Sequence, residues 1–293
     1  MNITIGIPAY NEEGKIGSIL EELKKITDSV IVCDDGSQDS TYDIAKNSGA
    51  MIIKHEKNLG YGAAINSIFK KCVEIDTDIL ITFDGDGQHR IEDINKIIKP
   101  IMENQADIVI GSRFLDDGEK EIPNYRKVGI KFLTQITNST IKEKITDSQS
   151  GFRAYNKTVL EKIIPENSGM GSSTEILIKA SNNDLRIAEV PIKIIYSGDT
   201  STLNPVSHGA SVFISTIKFT SIEHPLKFYG SASLVFFILG SIFTYFSIQF
   251  YVDNGFLNTN LTLLGAGLIL IAIILLICAI LLFSIIHVIR EKK

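Results

Sequence analysis

Two aspartates one residue apart, Asp84 and Asp86, stand in "ITFDGDGQHR" (81–90), where an apolar run stops abruptly among glycines. Carboxylates held this close repel one another and are costly to desolvate unless they share a cation. Oxygen donors without His or Cys partners suit Mg2+ or Mn2+, which typically bridge one or two carboxylates to substrate phosphates. Asp-Gly pairs also make plain turns, so the chemistry depends on where the motif sits. Two other acidic segments, "PAYNEE" (8–13) and "CDDGS" (33–37), follow apolar runs in the same way.

Those runs are the elements that must position the carboxylates. Residues 3–8, 29–34, 50–55, 78–83 and 107–112 are short, nearly continuous apolar segments rich in Ile and Val, as expected of strands covered on both faces. Helical patterns lie between them. Ile16, Ile19, Leu20, Leu23 and Ile26 recur at helical spacing, and Ile65, Ile68, Phe69 and Cys72 do so after "NLGYGAAIN". The alternation predicts an α/β fold, a mostly parallel sheet flanked by helices. Ligands of such sheets bind beyond the carboxyl ends of the strands, so the three acidic segments should gather along one edge.

In order and spacing, "IPAYNEE", "VCDDGSQDST", "KNLGYGAAIN", "FDGDGQH", "GSRF", "PNYRKVG" and "DSQSGFRAYNK" resemble the motifs of family 2 glycosyltransferases of the GT-A fold. Within that family the pattern is similar to the dolichyl-phosphate mannose synthase-like enzymes, or polyprenyl-phosphate glycosyltransferases, over about residues 3 to 210. The resemblance implies an inverting hexosyltransferase that moves one sugar from a GDP- or UDP-sugar to a dolichyl or other polyprenyl phosphate with one divalent ion. It implies that Pro8, Tyr10, Glu12, Cys33 and Asp35 hold the nucleoside. Asp84, Gly85, Asp86 and Gln88 would take the metal, Mg2+ or Mn2+, and the diphosphate. Arg113 would reach the phosphates, and Arg126 and Arg153 would receive the lipid phosphate.

Elementary chemistry agrees with such an acceptor. A phosphate monoester with a second pKa of about 6 is already anionic near neutrality and needs no general base. It needs cationic orientation, which arginine supplies through its planar fork. A sugar hydroxyl would need a base, and Glu175 in "GSSTEILIKA" is then the candidate. Processive synthases of the family carry Q-x-x-R-W, and this chain has no tryptophan. A catalytically inactive membrane scaffold is the competing class, against which the intact Asp84/Asp86 pair and the arginines count. Gly60 and Gly62 lack the third glycine of a dinucleotide fingerprint. His55 and His89 read as polar neighbours of the nucleotide edge, and His208 as a cap or a phosphate contact.

Residues 228–252 and 261–286 contain no charged residue, and each exceeds the roughly 20 residues that a spanning helix needs. The expected organisation is a cytosolic GT-A domain over 1–207, a juxtamembrane amphipathic helix over 208–225 and a two-helix transmembrane hairpin over 226–293 with a short basic tail. Lys218 and Lys227 precede the first span, Arg290, Lys292 and Lys293 follow the second, and the linker between them has no Lys or Arg. The positive-inside rule then puts both termini in the cytoplasm, and "MNITIGIPAYNEEGK" does not read as a signal peptide. The hairpin would contact membrane lipid and could assemble with copies of itself. Three widely spaced cysteines suggest a reduced compartment without a zinc site. A net charge of -5 without a basic block or interleaved aromatics does not suit a nucleic acid, and no nucleic acid partner is expected.

Overall fold

The computed structural model describes residues 1–116, 122–194, 221 and 225–291. The chain divides into two units, residues 1–216 and 217–293.

The first unit is built on a seven-stranded sheet. Five strands fall where the apolar runs predict them: β1 (Ile3–Ala9), β2 (Val30–Asp34), β3 (Met51–Lys54), β4 (Ile79–Thr82) and β5 (Ile108–Ser112). Two more, β6 (Arg153–Asn156) and β7 (Ile187–Pro191), complete the order β3-β2-β1-β4-β6-β5-β7. Every pairing is parallel except those of β6, which runs antiparallel between β4 and β5. Its reversal brings the start of β6 beside the end of β4, with Thr82 opposite Arg153.

Because side chains alternate along a strand, Ile5, Ile7, Val30, Val32, Ile79 and Ile81 point into one core with the helix α1 (Ile16–Leu23). Ile16, Ile19, Leu20 and Leu23 are buried as their spacing predicts, whereas Ile26 lies beyond the helix and is exposed. The segment after β2 forms α2 (Thr41–Asn47). On the opposite face, α3 (Tyr61–Glu74) buries Ile65, Ile68, Phe69 and Cys72. A short 3-10 turn (Ile91–Asp93) leads into α4 (Ile94–Met102), and α5 (Asn124–Asn138), α6 (Lys157–Lys162) and α7 (Ser172–Asn182) complete the described helices of this unit.

The second unit holds α8 (Pro225–Asn254) and α9 (Thr259–Glu291). Both are long and apolar enough to cross a membrane by length and composition. They are tied together by polar contacts: Ser233 Oγ donates to the Ala272 carbonyl at 2.8 Å, and the Ser247 and Thr262 hydroxyls lie 2.6 Å apart. The amphipathic helix expected over 208–225 lies outside the described residues except for Ser221 and Pro225, as does His208.

Candidate functional site

The carboxyl ends of β1, β2 and β4 lie side by side, as the pairings of Ala9 with Asp34 and of Gly6 with Thr82 require. "PAYNEE", "CDDGS" and "FDGDGQH" therefore meet along one edge. The reversed β6 adds the loop 147–151, and the end of β5 adds Arg113.

At the centre of this edge Asp84 Oδ2 accepts from His89 Nε2 at 3.0 Å. The imidazole is buried between Phe83 and Phe152, its ring centroid 5.5 Å from the first and 5.0 Å from the second. Asp86 Oδ1 accepts the backbone N–H of Gln88 at 3.0 Å, and Lys15 Nζ donates to the Asp86 carbonyl at 2.9 Å. Burial raises the Glu12 carboxyl to about 7, with further upward pressure from Asp86, Asp39 and Asp84 outweighing Lys15. Burial, followed by the charge of Asp84, raises Asp86 as well.

This edge thus gathers the partly buried carboxyls of Glu12, Asp84 and Asp86 around one close ammonium, that of Lys15. Among the described residues no three His, Cys, Asp or Glu side chains converge as a closed metal cage. Two carboxylates with open positions fit an octahedral cation that keeps water and substrate oxygens as its other ligands. Asp84 and Asp86, expected with Gln88 to be the metal ligands, are of the hard oxygen type that Mg2+ or Mn2+ takes.

Asp35 forms a second focus. Its carboxylate accepts the Leu59 and Gly60 backbone N–H groups at 2.9 and 2.8 Å and lies 2.6 Å from His55 Nδ1. Cys33 is fully buried, with Sγ 3.7 Å from His55 Nε2, and burial, aided by Asp35 and Asp34, pushes its thiol up to about 12. A buried neutral thiol lies behind the edge, and this differs from the direct nucleoside contact that the motif suggests. Pro8 and Tyr10 are half-buried at the end of β1, and Gly85 is buried, 3.6 Å from the Pro8 carbonyl if given a Cβ.

The glycines after β3 serve a tight turn. Gly60 has φ +101°, and a Cβ on Gly62 would collide with the Asn167 carbonyl. The Gly62 N–H instead donates to the Ser168 carbonyl at 2.9 Å. That loop is held in turn by Glu175, whose two oxygens accept the Glu166 and Asn167 N–H groups at 2.8 Å each while Lys179 Nζ approaches Oε1 to 2.7 Å. Fully buried and held by two backbone N–H groups and an ammonium, Glu175 is a structural tie, and the expectation that it could act as general base is corrected.

Two of the three arginines are engaged within the protein. Arg153 is 1% exposed, and its Nε, Nη1 and Nη2 donate to the carbonyls of Ser150, Ser173 and Ser148 at 2.8, 2.8 and 2.7 Å. It staples the β6 loop to the start of α7 and does not present a fork to a lipid phosphate. Arg113 grips Asp147 through Nε and Nη2 at 2.6 and 2.8 Å. Burial would raise Asp147, but this guanidinium outweighs it and holds the carboxyl below its usual range. Arg126, on the first turn of α5, is half-buried and makes no ion pair among the described residues. Neither Lys15 nor the His55–Asp35 pair stood out in sequence; Lys15 had a signal, its place in "NEEGK".

Residues 4–164 match the sequence model of Glycosyl transferase family 2. The chain is 40% identical over 213 residues to UDP-N-acetylglucosamine–dolichyl-phosphate N-acetylglucosaminyltransferase of Methanococcus voltae, covering 65% of this chain and 84% of that one. It is 31% identical over 220 residues to a dolichyl-phosphate hexose transferase of Haloferax volcanii, covering 74% and 93% respectively. Among solved structures, glucosyl-3-phosphoglycerate synthase of Mycobacterium tuberculosis, in complex with Mn2+ and UDP-glucose, shares the fold. Its TM-score is 0.59 at 19% identity, over 75% of this chain and 78% of that one.

Proposed function

The chain belongs to glycosyl transferase family 2, and from that membership we propose that it moves one sugar from a nucleotide-diphosphate sugar to the phosphate of a dolichyl or other polyprenyl lipid, with inversion at the anomeric carbon. It is a glycosyltransferase of GT-A fold. What carries the reading is the gathering of Glu12, Asp84 and Asp86 at the carboxyl ends of β1 and β4, an arrangement that suits a cation bound to a diphosphate. The named activities of the Methanococcus and Haloferax relatives support dolichyl phosphate as the acceptor.

In this mechanism Asp35 and the end of β1 orient the nucleoside, and Asp84, Asp86 and Gln88 would hold Mg2+ or Mn2+. Such an ion supplies Lewis-acid neutralisation of charge on the leaving diphosphate. A phosphate oxygen of the acceptor forms the new bond to C1 as the C1–O bond to the diphosphate breaks, and that bonding pair leaves with the nucleoside diphosphate. The acceptor is already an anion at neutral pH, so no protein base has to remove a proton. Arg126 is the side chain suited to orient it. His89 keeps Asp84 aimed, and Arg153 and Arg113 keep the neighbouring loop rigid. The two apolar helices would carry the chain in the membrane that holds its acceptor, both termini cytoplasmic.

Mass spectrometry of the lipid product tests the acceptor. With dolichyl phosphate and a donor, the lipid should gain one sugar residue; dephosphorylated dolichol should gain none. Equal transfer to both would favour a hydroxyl acceptor and defeat the reading.

A further inference from the structure

Asp35 has a limited capacity to read a nucleobase. An ionised carboxylate offers about four acceptor positions and has no proton to give. Nδ1 of His55, 2.6 Å from Oδ1, must therefore carry the hydrogen. Oδ1 also takes the Leu59 N–H, so both its positions are filled, while Oδ2 takes the Gly60 N–H. Among the described residues one position remains, on Oδ2. The imidazole cannot swing away readily, because Nε2 is held 2.9 Å from the Ser67 hydroxyl and the side chain is 10% exposed.

Nucleobases make different demands on such an acceptor. Guanine presents adjacent N1–H and N2–H donors, which call for both oxygens of a carboxylate. Uracil presents a single N3–H between two carbonyls. Adenine and cytosine set a ring-nitrogen acceptor beside the amino group, where it would face the carboxylate lone pairs. Resting on the nucleotide-sugar reading above, we infer that Asp35 selects uridine-diphosphate donors over guanosine-diphosphate ones, and that His55 is the positioning residue that enforces the choice by occupying Oδ1. A guanine docked on the single free position would bury an N–H without a partner.

Calorimetric titration of UDP and of GDP into the full chain in detergent, with Mn2+ present, tests this. UDP should bind more tightly by about tenfold or more, the consequence of one buried unpaired donor. His55→Phe keeps a ring but frees a position on Oδ1, and should narrow the ratio. His55→Asn, whose amide N–H can stand in for Nδ1–H, should preserve it. GDP binding as tightly as UDP would overturn the inference and leave the transferase reading standing, whereas binding of neither would overturn both. An unchanged ratio in folded His55→Phe would remove His55 from the selection. If that variant does not fold, the wild-type and His55→Asn ratios decide: both must favour UDP.

Discussion

A Cβ placed on Gly151 would lie 2.6 Å from Oδ2 of Asp84. The loop entering β6 therefore backs directly onto the first aspartate of the D-x-D pair, with room for hydrogen only. Gly151→Ala should push Asp84 aside and lower transfer by about 10²-fold, the scale associated with misplacement of about 1 Å. Its Mn2+ requirement should rise while the circular dichroism spectrum stays native. Unchanged metal dependence would separate the loop from the site.

Asp84→Asn and Asp86→Asn each remove a charge from the edge where charge must be neutralised. Either change should lower turnover by at least about 10²-fold, as should EDTA treatment of the wild type, with Mn2+ or Mg2+ restoring the latter only. Near-normal rates in both variants would refute the metal assignment.

The arginines separate by what each loses. Arg153→Met would leave the Ser148, Ser150 and Ser173 carbonyls without their donor and should cost about 3 kcal/mol or more in urea unfolding. Arg126→Ala should leave stability within about 0.5 kcal/mol and raise the KM for lipid phosphate about tenfold, with nucleotide affinity unchanged. A stable Arg153→Met with a raised lipid KM would return Arg153 to the acceptor site.

Much of this was legible in the chain. The five Ile- and Val-rich runs mark their strands because burial on both faces demands continuous apolar sequence. β6 escaped notice since "RAYN" has an arginine and an asparagine at its ends; it is placed in the sheet by its neighbours. The role of Arg153 was hidden for a related reason: a motif fixes the residue type, while burial decides whether a guanidinium serves backbone carbonyls or substrate. Asp35 and His55 are 20 residues apart, and only the parallel register that sets Asp34 opposite Lys54 brings the following residues together.

Glu12 provides a pH test. Burial and then Asp86 raise it from 4.5 to about 7 in the folded chain, so the fold favours its protonated form. The associated stability is fully present below 4.5 and is lost as pH rises through about 7. In metal-free protein the melting temperature should fall relative to Glu12→Gln across that interval, and saturating Mn2+ should shrink the difference. Parallel melting curves with and without the carboxyl would contradict the crowding of charge at this edge.

The most direct measurement is transfer of radiolabel from UDP- and GDP-sugars to dolichyl and undecaprenyl phosphate by purified protein in detergent, scored by extraction into organic solvent with and without Mn2+. Metal-dependent label in the organic phase from at least one donor is the expected result. Folded protein that transfers no label from any donor to either lipid, with metal present, would contradict lipid-phosphate glycosyl transfer.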